Sequence, residues 1–241
     1  MLLLGIPVER IRMLGDSWSD GGLWDDIAWL ALCTWEAADD DERCLRWHHL
    51  VMAVGNFKRQ GGRRLRPAHI ASASALESAS RGDQIHIPGG PMVACEDLTS
   101  WKELERSLHG AATATTTTLL SALWPERHHV LDWRVLAAVA GLDAIGGSNL
   151  GLVEPGSRRS ILPTLDLYCQ VRKLLIQLAD DADLPVSTVE RALYVISRGV
   201  RGKGMTWTEY GSALRLVRDR RETPEIDVTP DDEQEVPPSA P

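Results

Sequence analysis

Apolar residues recur at steps of three and four along most of the chain, and that spacing predicts helices. In "SDGGLWDDIAWLALCTWEA", Leu23, Ile27, Leu30 and Trp35 fall near one helical face behind Asp and Gly. "DDDERCLRWHHLVMAVGNF" opens with acids that suit the positive end of a helix. Ser100 with Glu103, Ser187 with Glu190 and Thr206 with Glu209 have capping-box spacing, each ahead of a periodic apolar stretch. Gly110, Gly141 and Gly199 are placed as helix stops. Pro125 closes the helix of "ATTTTLLSALW", and Pro163 opens one through Leu165, Tyr168, Val171 and Leu175. Strand character is confined to "DQIHIPGGP" (83–91), a hairpin or an extended loop. The pattern predicts a mostly α protein with about eight to ten helices and few or no strands. It leaves a loop-rich patch at 81–97 and a linker-like stretch at 143–162, with no internal repeat.

Composition narrows this picture. A chain of 241 residues makes one or two domains and can bury a sizeable core. Cys33, Cys44, Cys95 and Cys169 include no C-x-x-C pair, which argues against a zinc ribbon or an iron–sulfur site. No metal or cofactor is expected. The opening "MLLLGIPVER" has too short an apolar run for a signal peptide or a membrane span, so a reduced cytoplasmic location away from membranes is expected. Nine tryptophans stand against one phenylalanine. Most belong in the core by type, and Trp133 is the one placed near a site.

The net charge of −8 would argue against a nucleic-acid partner if it were spread evenly. It is not. Residues 222–241 hold seven acids and no Lys or Arg, leaving 26 basic and 27 acidic residues in the rest. That proline-rich tail reads as disordered, either a solubilising end or a DNA mimic over a basic groove. The body, 1–221, is expected to be one helical domain with room for two subdomains meeting near Asp132. "FKRQGGRRLRP" (57–67) gathers Lys58, Arg59, Arg63, Arg64 and Arg66 without an acid, and 191–221 carries eight basic and two acidic residues. Each is a phosphate-contacting patch or a plain solvated face.

In "WPERHHVLDWRVLAAVAGL" (124–142) a lone carboxylate, Asp132, stands just ahead of an apolar helix. If Trp133 begins that helix, Asp132 is its N-cap, and the backbone N–H groups of the first turn fix its direction. Most such residues are only caps. A fixed carboxylate also serves chemistry in which positive charge develops, such as N-glycosidic cleavage through an oxocarbenium-like sugar.

"LHGAATATTTTLLSALWPERHHVLDWRVLAAVAGL" (108–142) resembles the helix-hairpin-helix DNA glycosylases of the 8-oxoguanine-glycosylase-like fold, in particular their diverged bacterial relatives. In that family an L-P-G-V-G-T-K hairpin leads into a helix, and a V-D or L-D dipeptide then opens the next with the catalytic Asp. Leu108 to Ala114 lie over the hairpin and Leu131-Asp132 over the dipeptide. The resemblance implies a helical glycosylase-like fold with a degenerate hairpin, a base-flipping mechanism and a DNA partner, most simply duplex DNA met by a monomer. Ala114 stands where bifunctional members carry a lysine, and no Lys lies between Lys102 and Lys173, so lysine-dependent strand cleavage is not expected. His109 and Ala112 replace the hairpin proline and second glycine, which weakens the phosphate contact of His109 and Gly110. Thr113 and Thr115 to Thr118 offer hydroxyls instead, or simply face the core.

A flipped base needs a pocket and a stacking partner. By residue type Trp133, Trp47, His48 and His49 are candidates, with Asp83 and His86 for the base edge. His48 and His49 read as one buried and one exposed residue rather than metal ligands. The diverged relatives are similar to enzymes that excise glucosylated hydroxymethylcytosine from phage DNA, so the resemblance implies antiphage defence and a hypermodified base. Two readings compete. "LADDADLPVSTVERALYVISRG" (178–199) resembles the helix-turn-helix of transcription regulators, with Thr188, Glu190 and Arg191 toward the major groove, although Asp180, Asp181 and Asp183 crowd the turn. A non-catalytic helical interaction protein is the other.

Overall fold

Helical spacing in the sequence becomes nine helices among the described residues: α1 (Val8–Asp16), α2 (Leu23–Trp35), α3 (Asp40–Arg59), α4 (Leu98–Ser107), α5 (Thr113–Leu123), α6 (Trp133–Ala144), α7 (Leu165–Ala182), α8 (Val186–Arg198) and α9 (Trp207–Asp219). This is a computed structural model, and it describes residues 2–3, 6–16, 23–59, 81–108, 113–145, 164–198, 200 and 205–219. Arg63, Arg64, Arg66, His109, Gly110, Pro163, Gly199, most of the linker-like stretch and the acidic tail lie outside them.

Strand structure is minor. β1 (Leu2–Leu3) pairs with β2 (Ile6–Pro7), and β3 (Gln84–His86) with β4 (Met92–Ala94), both antiparallel. The apolar stretch at 83–91 is thus the first strand and turn of a hairpin, closed by Gly89 at φ +72, where a side chain would be strained. Two indoles fasten it. Trp124 Nε1 donates to Gly82 O at 2.8 Å and Trp101 Nε1 to Ala94 O at 2.7 Å, so α4 and the residue after α5 hold the two ends of the hairpin.

The helices pack in two groups. α2, α3, α4 and α5 form one with the hairpin; α1, α6, α8 and α9 form the other, and α7 touches both through α4 and α8. α6 is apolar on every side, with Val135, Leu136, Ala137, Ala138, Val139, Ala140 and Leu142 all buried. Gly141, placed as a stop, lies inside α6 instead. A Cβ there would meet Tyr210 Cδ1 at 2.9 Å and Gly211 N at 3.2 Å, so the glycine exists for the crossing of α6 and α9. The first residues of the linker-like stretch, Asp143 and Ala144, continue the helix.

Capping follows the sequence only in part. Thr206 and Glu209 form the reciprocal box, Thr206 N donating to Glu209 Oε2 at 2.7 Å and Glu209 N to Thr206 Oγ1 at 3.3 Å. At α4 the cap is Asp97, which accepts from Thr99 N and Ser100 N; Ser100 is already helical and binds Ala94 N. Ser187 likewise falls inside α8. α7 opens at the cap Thr164 and ends at Asp183 with φ 51, a left-handed residue whose type tolerates that conformation.

Candidate functional site

α5 carries an unusual density of hydroxyls, and its partner explains them. Residues 128–131 run through the interior without regular structure, so their backbone groups need bonds from elsewhere. α5 supplies them one turn apart: Thr117 Oγ1 accepts from Leu131 N at 3.1 Å, and Ser121 Oγ donates to His128 O at 3.3 Å. Thr116, Thr117 and Thr118 are buried, the core-facing alternative of the sequence reading. Thr113 is buried too and donates to Glu105 Oε1 at 2.7 Å, so it serves α4 rather than a phosphate. Thr115 is half-buried.

Behind the same segment lies a polar network that the sequence reading missed. His128 Nε2 is 2.8 Å from Cys95 O and Nδ1 is 2.8 Å from Tyr168 Oη. A carbonyl can only accept, so Nε2 carries the proton and Tyr168 donates to Nδ1. The ring of His129 lies 4.9 Å from that of Tyr168. Arg172, one turn beyond Tyr168, donates from Nε to Arg127 O at 2.6 Å and grips Glu96 through both terminal nitrogens at 2.9 and 2.5 Å. Trp101 stands edge-on to His128 at 5.0 Å.

Burial dominates the electrostatics of this cluster. It lowers His128 to about 3, with Arg172 adding to the effect, and lowers His129 to about 3, helped by His128 and Arg172. Tyr168 is raised for the same reason, and burial with the Glu96 charge raises Cys95 to about 11, an inert thiol. For Glu96, burial pushes upward, but the hydrogen bonds and charge of Arg172 outweigh it and hold the carboxyl below its usual range. The neutral histidines and the clamped Glu96 make this a fixed support. Its chain end is Asp132, three residues after His129.

Asp132 is the N-cap of α6, with φ −94 and ψ 151, and its Oδ1 accepts from Arg134 N at 2.8 Å. Its carbonyl accepts from Leu136 N at 3.1 Å, the first bond of the helix. The side chain is half-buried. Beside it Trp133 is 48 % exposed, and among the eight described tryptophans it alone is exposed. The Arg134 guanidinium lies 4.9 Å from the Trp133 ring and 5.9 Å from that of Tyr194 on α8, and the Arg198 guanidinium is also 5.9 Å from the Tyr194 ring. An acid of fixed direction thus adjoins an exposed indole and Arg134.

The other named residues are placed differently. Trp47 is buried in the core from α3, which removes it as a stacking surface. His48 and His49 are both exposed, against the expected split, because the buried face of α3 runs through Trp47, Leu50, Ala53 and Val54. His48 Nδ1 bonds Cys44 O in its own helix. Asp83 and His86 are exposed on the hairpin, where the Asp83 carbonyl accepts from Cys95 N at 2.7 Å. Lys58 and Arg59 end α3. Thr188 is packed on α1, since a Cβ at Gly15 would lie 2.5 Å from its carbonyl oxygen. Among the described residues no group of three or more His, Cys, Asp or Glu could hold a metal ion, and no helix is long and apolar enough to cross a membrane. Comparison with protein-family models, curated proteins and solved structures gives no match.

Proposed function

We propose that the protein is a monofunctional DNA glycosylase, with Asp132 stabilising the positive sugar and orienting water while Trp133 stacks on a base. The observation that carries this reading is the pairing, at one helix start, of a direction-fixed carboxylate with an exposed indole beside the Arg134 guanidinium. Chain order supports it. α4, the connection 108–112 and α5 precede a segment that ends in Leu131-Asp132 at the head of α6, the succession the glycosylase resemblance implies. The absence of lysine from 103–172 fits water as the nucleophile. By the same resemblance the substrate is a hypermodified base of phage DNA, such as glucosylated hydroxymethylcytosine, and the role is antiphage defence. The regulator reading is weaker, because α1 occupies the Thr188 surface that would enter a groove.

The test exploits the cap. Asn caps a helix about as well as Asp, so Asp132→Asn keeps the fold and removes the carboxylate. Purified protein and variant are incubated with unmodified genomic DNA and with phage DNA carrying glucosylated hydroxymethylcytosine, and abasic sites are counted with an aldehyde-reactive probe. The expected result is sites on the modified DNA from the intact protein, and a loss of at least about 100-fold in Asp132→Asn. Equal activity in the variant would overturn the mechanism, and no abasic sites on any modified DNA would overturn the reading.

A further inference from the structure

α8 buries one side through Val189, Ala192, Leu193 and Ile196. Tyr194 and Arg198, four residues apart, sit half-buried on the opposite side, where helical spacing makes them neighbours. α6 packs on the same helix, and its first turn reaches this pair. The Arg134 guanidinium carbon lies 4.9 Å from the Trp133 ring and 5.9 Å from the Tyr194 ring, and that of Arg198 lies 5.9 Å from Tyr194. One arginine thus joins two aromatic rings from different helices, and a second arginine adjoins one of those rings.

Packing alone gives no reason for this cluster. An arginine that only sealed the joint between α6 and α8 would do so over a covered indole, but Trp133 is 48 % exposed. Arg198 makes no ion pair among the described residues. The acids near in sequence are Asp132, the cap itself, and Glu190, one turn before Tyr194, while the stretch 191–221 holds eight basic residues against two acidic ones. Rings and guanidiniums set side by side match what a nucleic-acid strand presents, flat base faces and phosphates. Pairing decides the form. In a duplex the base faces are stacked inside, and one flipped base would occupy Trp133 and leave Tyr194 nothing to stack on. Two rings bridged by one guanidinium fit neighbouring unpaired bases.

We propose that Trp133, Arg134, Tyr194 and Arg198 form a platform for an unpaired DNA strand, whose bases stack on the two rings while its phosphates meet the guanidiniums. The strand then runs from α8 to the cap of α6 and brings its target nucleotide to Asp132 with no duplex to open. This departs from the duplex expected from the sequence. It deepens the glycosylase reading, on which the choice of DNA rests, but strand binding itself needs no catalysis.

Fluorescence anisotropy of a labelled oligothymidylate of about 15 nucleotides, and of a duplex of equal length, reads binding to the full chain across a salt series. Far-UV circular dichroism confirms the fold of each variant. The single strand should bind at least about tenfold more tightly than the duplex, and Trp133→Ala and Tyr194→Leu should each weaken it by about tenfold at every salt concentration. Arg198→Gln should instead lower the slope of log affinity against log salt by about 0.7, and Arg198→Lys should keep the slope, a pattern that a merely structural arginine would not give. A duplex bound as tightly as the strand, no binding of the strand, ring variants that bind like wild type, or an unchanged slope in Arg198→Gln would each overturn the proposal. Abasic sites counted on the same modified DNA in both forms separate it from the glycosylase reading. Activity confined to the duplex removes the platform and keeps the enzyme, whereas strand binding without abasic sites removes the enzyme and keeps the platform.

Discussion

Thr117 acts in two directions at once, donating to Ala114 O at 3.2 Å and accepting from Leu131 N at 3.1 Å. Thr116, the residue before it, is equally buried, but its hydroxyl has no hydrogen-bond partner among the described residues. The two threonines should respond oppositely to an isosteric loss of the hydroxyl. Thr117→Val leaves a buried N–H unpaired and should cost about 1–3 kcal/mol. Thr116→Val removes a hydroxyl that has only a desolvation cost and should be neutral or stabilising. Urea midpoints of the two variants check this, and equal shifts would mean that Thr117 does not support the segment before Asp132. The sequence offers a core-facing threonine-rich helix as one of two readings. It does not show which hydroxyl meets the chain from 128 to 131, because that contact comes from tertiary folding rather than from helical period.

Among elements, the crossing of α6 and α9 is where local rules mislead most. A glycine near the end of an apolar run reads as a helix stop, but Gly141 and Gly211 face each other, and a Cβ on Gly211 would run into the Gly141 carbonyl. Helix propensity favours Gly211→Ala by about 1 kcal/mol. Overpacking against rigid backbone costs about 1–3 kcal/mol and wins, since neither helix can move without disturbing Tyr210 or Leu214. Gly211→Ala should therefore lower the melting temperature by several degrees, where propensity alone would raise it; calorimetry decides the sign. Capping boxes mislead for a related reason. Thr206 and Glu209 are free to close on each other at a surface helix start. Ser100 is claimed by the hairpin backbone, and Asp97 takes the cap. The N-cap role of Asp132 was legible because an apolar helix of twelve residues follows it without interruption.

The whole molecule carries its acid sensitivity in the one part of the site that the sequence hid. "HH" inside "PERHHVLDW" offers no period, and Tyr168 reads as one more apolar helix position; only the fold brings His128 and His129 against it. Both imidazoles are buried and neutral, titrating near 3 rather than near 6.5. In the unfolded chain they bind protons first as the pH falls, so the unfolded state gains relative to the native one. Their contribution is complete above about pH 6.5 and is lost progressively toward pH 3. The limiting slope is about 1.4 kcal/mol per pH unit for each histidine. From pH 6.5 to 4.5 the pair removes about 5 kcal/mol, comparable to the whole stability of many domains. The lowered carboxyls of Glu42, Glu96 and Glu209 act only at and below their ordinary value of 4.5, so the window from pH 5 to 6.5 isolates the histidines from them. His129→Leu replaces a ring whose two nitrogens have no hydrogen-bond partner among the described residues with an apolar group of similar size. Urea unfolding at pH 7.5, 6, 5.5 and 5 should show a steep loss in the wild type and about half that slope in His129→Leu. A wild-type stability that stays flat across this window would mean that the histidines are not held neutral, and that the segment leading to Asp132 is not the rigid support described above.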